Sequence, residues 1–167
     1  VIKLFNTTIS GEILLFSTTQ NNIYNIINKL HKIIPSNCIA LPYYSELKNE
    51  FKDISKYPRL NLKKIDYHRD DMLDYFKGNK KYIDLKKVQS GTYLRACIIA
   101  TNAAEASLTI DSLKYVVDIG YQFNVIYNYD KKLIETSPGK INESSRKQRK
   151  GRVGRVAPGE AVSGTWQ

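Results

Sequence analysis

Short apolar runs recur along this chain with helical periodicity between them, and that alternation narrows the folds open to it. Residues 12–17 (EILLFS), 38–42 (CIALP), 94–100 (LRACIIA) and 114–119 (KYVVDI) are too short for core helices and read as buried strands. Within residues 20–33, Ile23, Ile26, Ile27 and Leu30 fall at helical spacing and predict an amphipathic helix. Ser45–Ile54 reads as a short helix opened by a Ser45 cap, and Asp70–Phe76 as another. Residues 121–128 and 131–137 flank Asn128-Tyr129-Asp130, which predicts a β-hairpin, and a short strand is expected near Glu160–Thr165. Strands alternating with helices predict an α/β fold with a largely parallel sheet. Ligands of such sheets bind outside the carboxyl ends of the strands. The residues just after positions 17, 42, 100 and 118 therefore form the expected functional edge. A length of 167 residues suits one domain, 1–167.

Composition supports a folded chain that meets an anion. Hydrophobic residues make up 42% and aromatic residues 11%, enough for a core. The net charge is +10, and residues 131–155 carry nine Lys/Arg against two Glu. Cys38 and Cys97 show no metal-ligand spacing, so a reduced intracellular setting with both thiols in the core is expected. No apolar run is long enough to span a membrane. A start at Val1 suggests a piece of a longer protein. Heavy use of Lys, Asn, Ile and Tyr suggests an AT-rich genome such as that of a large DNA virus, which would place the protein in a virion or a host cytoplasm.

Two segments carry chemistry. QRKGRVGR, residues 148–155, sets Gln148, Arg152 and Arg155 at offsets of four and seven, one face if the helix is continuous. Arginine forks suit phosphate. Gly151 and Gly154 interrupt the pattern, each at about 1 kcal/mol against Ala in a helix, which suggests close approach of another surface. Asn142 is a candidate cap after a Pro138-Gly139 turn. ATNAAEASLTID, residues 100–111, groups Thr101, Asn102, Ser107, Thr109 and Asp111 at a strand end, where they can bind phosphate oxygens or simply cap turns. Asp118 can be an ordinary strand-end carboxylate, and Tyr127 and Tyr129 can pack the hairpin. His68-Arg69-Asp70 lacks the Asn and the Gly-rich loop of a kinase site. No phosphate-cradling GxxxxGK[ST] occurs, since Gly139-Lys140 is followed by Ile141, and no Asp-Glu-x-His follows a strand.

ATNAAEASLTID resembles motif V of superfamily 2 DExH/DEAH-box helicases, and QRKGRVGR resembles their motif VI, in the right order. GEILLFSTTQNNI (11–23) resembles motif IV, and LPYYSELKNEF (41–51) the element after it. KYVVDIG (114–120) matches the strand after motif V, and 121–137 sits where DEAH and poxvirus-type members carry a β-hairpin. The resemblance spans most of the chain except 52–92. It implies a RecA-like second lobe of a two-lobe motor that uses ATP and Mg2+ held mainly by the absent first lobe, with RNA, or second DNA, as partner. Gln148 would meet the γ-phosphate or attacking water, with Arg152 and Arg155 as arginine fingers. Ser107 would position the water, and Asp111 would face the nucleotide. Thr18, Ser45, Thr101 and Asn102 would hold the nucleic-acid backbone. An adenine-stacking aromatic is implied within 52–92, with Phe76, Tyr82 and Tyr93 as candidates. The piece alone would be monomeric and unable to hydrolyse ATP. A non-catalytic nucleic-acid-binding module and a DNA translocase are the alternatives.

Overall fold

The structure is a computed structural model that describes residues 1–77, 91–102, 108–152 and 159–163. In chain order the strands are β1 (Glu12–Phe16), β2 (Cys38–Tyr43), β3 (Arg95–Ala100), β4 (Leu113–Asp118), β5 (Tyr121–Asn128), β6 (Leu133–Lys140) and β7 (Glu160–Ser163). Five of them form one parallel sheet in the order β2-β3-β1-β4-β7, while among the described residues β5 and β6 pair only with each other. Every residue of β1, β2 and β3 is buried, which is why these strands read as unbroken apolar runs rather than alternating ones. Ile13, Leu14, Phe16, Ile39, Leu41 and Ile98 form the fully buried centre.

The register sets the edge that matters. Phe16 pairs with Ala100 and with Asp118, and Ala100 pairs with Tyr43. The carboxyl ends of β2, β3, β1 and β4 are therefore level, and the residues that succeed them lie along one line.

The described helices are α1 (Ile2–Thr7), α2 (Gln20–His31), α3 (Asn49–Lys56), α4 (Pro58–Asn61), α5 (Met72–Lys77) and α6 (Glu143–Lys150). Thr19 caps α2 by accepting from the Asn22 amide at 3.2 Å, and α2 buries Ile23, Ile27 and Leu30 as its spacing predicted. The far end of α2 is closed by Arg69. Its guanidinium donates to the carbonyls of His31 (2.7 Å), Ile34 (3.2 Å), Pro35 (2.6 Å) and Cys38 (2.7 Å). These include carbonyls that a helix end leaves without intrahelical partners. Arg95 does the same for α1, donating to the Gly11 and Thr8 carbonyls at 2.6 and 2.9 Å. Gly11 sits at φ +93°, and a Cβ there would lie 2.4 Å from the Lys114 side chain.

Two expectations need correcting. Ser45 does not cap a helix: α3 begins only at Asn49 after Lys48, and the Ser45 carbonyl instead accepts from Lys52 Nζ at 2.6 Å. Pro138-Gly139 is no turn but lies within β6, where Phe123 pairs with Pro138. A two-stranded ribbon has an open side that tolerates a residue without N–H. Helices α1 and α4 were not foreseen. The hairpin turn itself stands where expected: Asn128 Oδ1 accepts from the amides of Asp130 and Lys131 at 3.1 and 3.2 Å.

Candidate functional site

Helix α6 is seated on the sheet by Arg149, a residue outside the Gln148, Arg152 and Arg155 pattern. Asn142 caps the helix, accepting from the Ser145 amide at 2.7 Å. Arg149, fully buried, donates to Asp118 Oδ1 at 2.9 Å and to the Tyr121 carbonyl at 3.2 Å, and lies 4.8 Å from the Phe16 ring centroid. Asp118 Oδ1 also accepts from the Gly120 amide at 2.8 Å, and Gly120 takes φ +77° where the chain leaves β4 for the hairpin. Asp118 is thus a buried anchor rather than a bare strand-end carboxylate. Arg149 stands inside the arginine motif, but its partner is 31 residues away.

The three-residue face drawn from the motif does not hold as a continuous helix. α6 ends at Lys150 and Gly151 caps it, its amide donating to the Lys147 carbonyl at 2.8 Å. Gln148 is exposed, whereas Arg152, only 6% exposed, lies beyond the helix and donates from Nη1 to the Leu108 carbonyl at 2.9 Å. A Cβ on Gly151 would sit 3.1 Å from the Lys147 carbonyl, so the close approach here is to its own helix end. The Arg152 bond ties the segment after α6 to the segment before β4, joining the two motifs. Arg155, Gly154 and Ser107 lie outside the described residues.

The carboxyl edge gathers the other candidates. Ser45 follows β2 by two residues, Thr101 follows β3 directly, and Thr18 follows β1 by two. In the order β2-β3-β1 these are neighbours, spread over about 10 Å at the usual strand spacing. The ladder runs past the strand ends: the Thr101 amide donates to Tyr43 and the Ser17 amide to Ala100, at 3.2 and 2.7 Å. Thr18 Oγ1 accepts from Asn22 Nδ2 at 2.6 Å, and Ser45 and Asn102 are exposed. Asp111 stands apart from this row. It precedes β4 and therefore lies at the amino edge, beside Glu12. Burial holds the Glu12 carboxyl above its usual range, hydrogen bonds from Ser112 and Ala96 oppose this, and the Asp111 charge adds to it.

Two of the three adenine-stacking candidates, Phe76 and Tyr93, fall within the described residues. Phe76 is buried against Phe51, ring centroids 4.3 Å apart, and Tyr93 is buried with its hydroxyl accepting from the Arg69 amide. Tyr82 lies outside the described residues. Among the described residues of 52–92 the exposed aromatic is Tyr57, at 46%. It adjoins Pro58, which lines a cleft of about 300 Å³ with Glu12 at the amino edge. Tyr127 and Tyr129 pack edge to face on each other, centroids 4.9 Å apart, at an exposed hairpin tip rather than on the core.

Both cysteines are buried, and burial pushes the Cys97 thiol up to about 12 and the Cys38 thiol up as well, so both behave as small core residues. Among the described residues no cluster of His, Cys, Asp or Glu could hold a metal, and no helix is long and apolar enough to cross a membrane.

A parallel sheet whose carboxyl edge carries small polar side chains, with an arginine-rich helix pinned beside it, has relatives. The helicase conserved C-terminal domain model matches residues 1–157, and the chain belongs to that family. A candidate ATP-dependent RNA helicase of Acanthamoeba polyphaga mimivirus is 41% identical over 160 residues, covering 95% of this chain and 9% of that protein. A second candidate from the same virus is 35% identical over 158 residues, covering 93% and 19%. The crystal structure of the Escherichia coli DExH-box NTPase HrpB superposes with a TM-score of 0.72 at 23% identity, covering 97% of this chain and 16% of that one. The fold is RecA-like, as the motif resemblance implied. The chain spans less than a fifth of the length of these relatives.

Proposed function

We propose that this domain is the second RecA-like lobe of an ATP-dependent RNA helicase, driving 3′-to-5′ translocation together with a first lobe. The observation that carries the reading is the bond from Arg152 to the Leu108 carbonyl, with Arg149 locked to Asp118 behind it. These contacts fix the motif VI segment rigidly against motif V, and preorganised donors are what phosphoryl transfer needs. In this reading Arg152 and Arg155 supply guanidinium donors to the phosphates of ATP, and Gln148 reaches the γ-phosphate or attacking water. A guanidinium carries five N–H donors, so one carbonyl does not exclude a phosphate. Ser107 orients the water and Asp111 faces the ribose. The phosphate cradle and the Mg2+ ligands belong to the first lobe. Tyr57, exposed near the Asp111 edge, replaces Phe76 and Tyr93 as the aromatic for adenine. Thr18, Ser45, Thr101 and Asn102 form a row of backbone contacts along the carboxyl edge, and such contacts carry no base information.

Alanine variants of the two-lobed protein test the assignment. Arg155→Ala is expected to lower ATP turnover by about 10³-fold or more and leave RNA affinity nearly unchanged. Arg152→Ala is expected to lose turnover similarly and also to lower the melting temperature, because its side chain is buried. Equal loss of turnover and RNA binding in Arg155→Ala would contradict the finger role.

A further inference from the structure

Helix α2, the loop after β2, α3 and α5 enclose a groove of about 530 Å³ that none of the motifs accounts for. Its size falls within the range of about 300–1,000 Å³ typical of small-ligand sites. Its lining includes the apolar Leu47, Phe51 and Phe76 and, along α2, the amide-bearing Asn21, Asn25 and Asn28. Those positions are four and three residues apart and share one helix face. Tyr24, on the same helix, and Tyr44, after β2, bond each other through their hydroxyls at 2.8 Å.

These asparagines run against local preference. Asparagine is a poor helix former because its side chain competes for the backbone, yet α2 holds four in twelve residues. Asn22 has a local task, bonding Thr18 and completing the Thr19 cap. Asn21, Asn25 and Asn28 have exposed side chains that line the groove instead.

The lining contains one Lys and one Glu, so it offers an anion no net attraction. What it does suit is a flat, neutral heterocycle with donors and acceptors on its rim. Its mouth is at the carboxyl edge, since Gln20 opens α2 just past Thr18 and Tyr44 precedes Ser45.

We propose that this groove receives one unpaired nucleobase, adenine by preference, turned in from a strand lying along the carboxyl edge; this rests on the reading of the chain as an RNA-binding lobe. An asparagine amide sets an N–H donor beside a carbonyl acceptor, the pair that matches the N7 and N6 positions of adenine. Single strands are read in this way, with bases splayed onto apolar or aromatic surfaces and bonded at their edges.

The test uses the two-lobed protein and the variant Asn21→Ala/Asn25→Ala. Both positions are exposed and Ala favours helix, so the fold is expected to survive, which a melting curve checks. The probes are short oligoadenylate, oligouridylate and an abasic ribose-phosphate strand of equal length, read by fluorescence anisotropy. The parent is expected to bind oligoadenylate about tenfold tighter than oligouridylate. The variant is expected to lose that preference while holding the abasic strand as the parent does. A parent without preference, or a variant that keeps it, overturns the base groove, leaves it to a peptide, and leaves the helicase reading standing. Equal weakening of all three strands also overturns it, as an effect on the backbone path. A parent that binds none of the three overturns the RNA-binding reading and the groove with it.

Discussion

Arg149 and Arg152 stand three residues apart in one motif and have different surroundings. Arg149 is closed in by Asp118, the Tyr121 carbonyl and the Phe16 ring. Removing one partner of a buried pair leaves an uncompensated charge, at roughly 3–5 kcal/mol. Arg149→Ala is therefore expected to lower the urea midpoint sharply, while Gln148→Ala, at an exposed position, is expected to leave it nearly unchanged. His31 gives a pH signature. Its Nε2 accepts from the Ala40 amide at 2.9 Å, and burial, with the Arg69 charge second, lowers its pKa from 6.5 to about 4. The unfolded chain then takes up the proton first. Stability is fully present above about pH 6.5 and falls as pH drops toward 4, by on the order of 2–3 kcal/mol. Urea midpoints at neutral and acid pH should show this slope in the parent and less of it in His31→Gln.

At the scale of elements, the hairpin is the part most separable from the core. Among the described residues β5 and β6 pair only with each other, and Tyr127 and Tyr129 are 47% and 83% exposed at the tip. Tyr127→Ala/Tyr129→Ala is expected to change stability by less than about 0.5 kcal/mol and to weaken RNA binding, since exposed aromatics beside Lys131 and Lys132 suit unstacked bases. An unchanged affinity would assign the pair to packing alone. The central strands were legible in the sequence because burial on both faces confines their charged residues, Glu12 and Arg95, to the first position of a strand. The α2 stripe and the Asn142 cap were legible for equally local reasons. Ser45 misled because a serine before a polar stretch looks like a cap, whereas the chain continues to Lys48 before turning helical. The 148/152 spacing misled because it assumes a helix that Gly151 ends. The Arg149–Asp118 pair, the Arg69 clamp and the groove along α2 depend on contacts between distant segments, which no local pattern encodes.

Across the whole molecule, the parallel sheet places the candidate residues on two opposite edges. The carboxyl edge holds Thr18, Ser45 and Thr101 in one row, and the amino edge holds Asp111 with Glu12 and, nearby, Tyr57. Arg149 and Arg152 tie the basic segment to Asp118 at the end of β4 and to Leu108 in the connection before it. In the proposed reading, a lobe of this design would offer half of a nucleotide site and one stretch of a nucleic-acid track. The most direct test of that claim is steady-state ATP turnover, with and without RNA, measured side by side for the two-lobed protein, its Arg155→Ala variant and the 167-residue chain alone. The account predicts RNA-stimulated turnover in the first and none detectable in the other two. Clear turnover by the isolated chain, or undiminished turnover in Arg155→Ala, would contradict it.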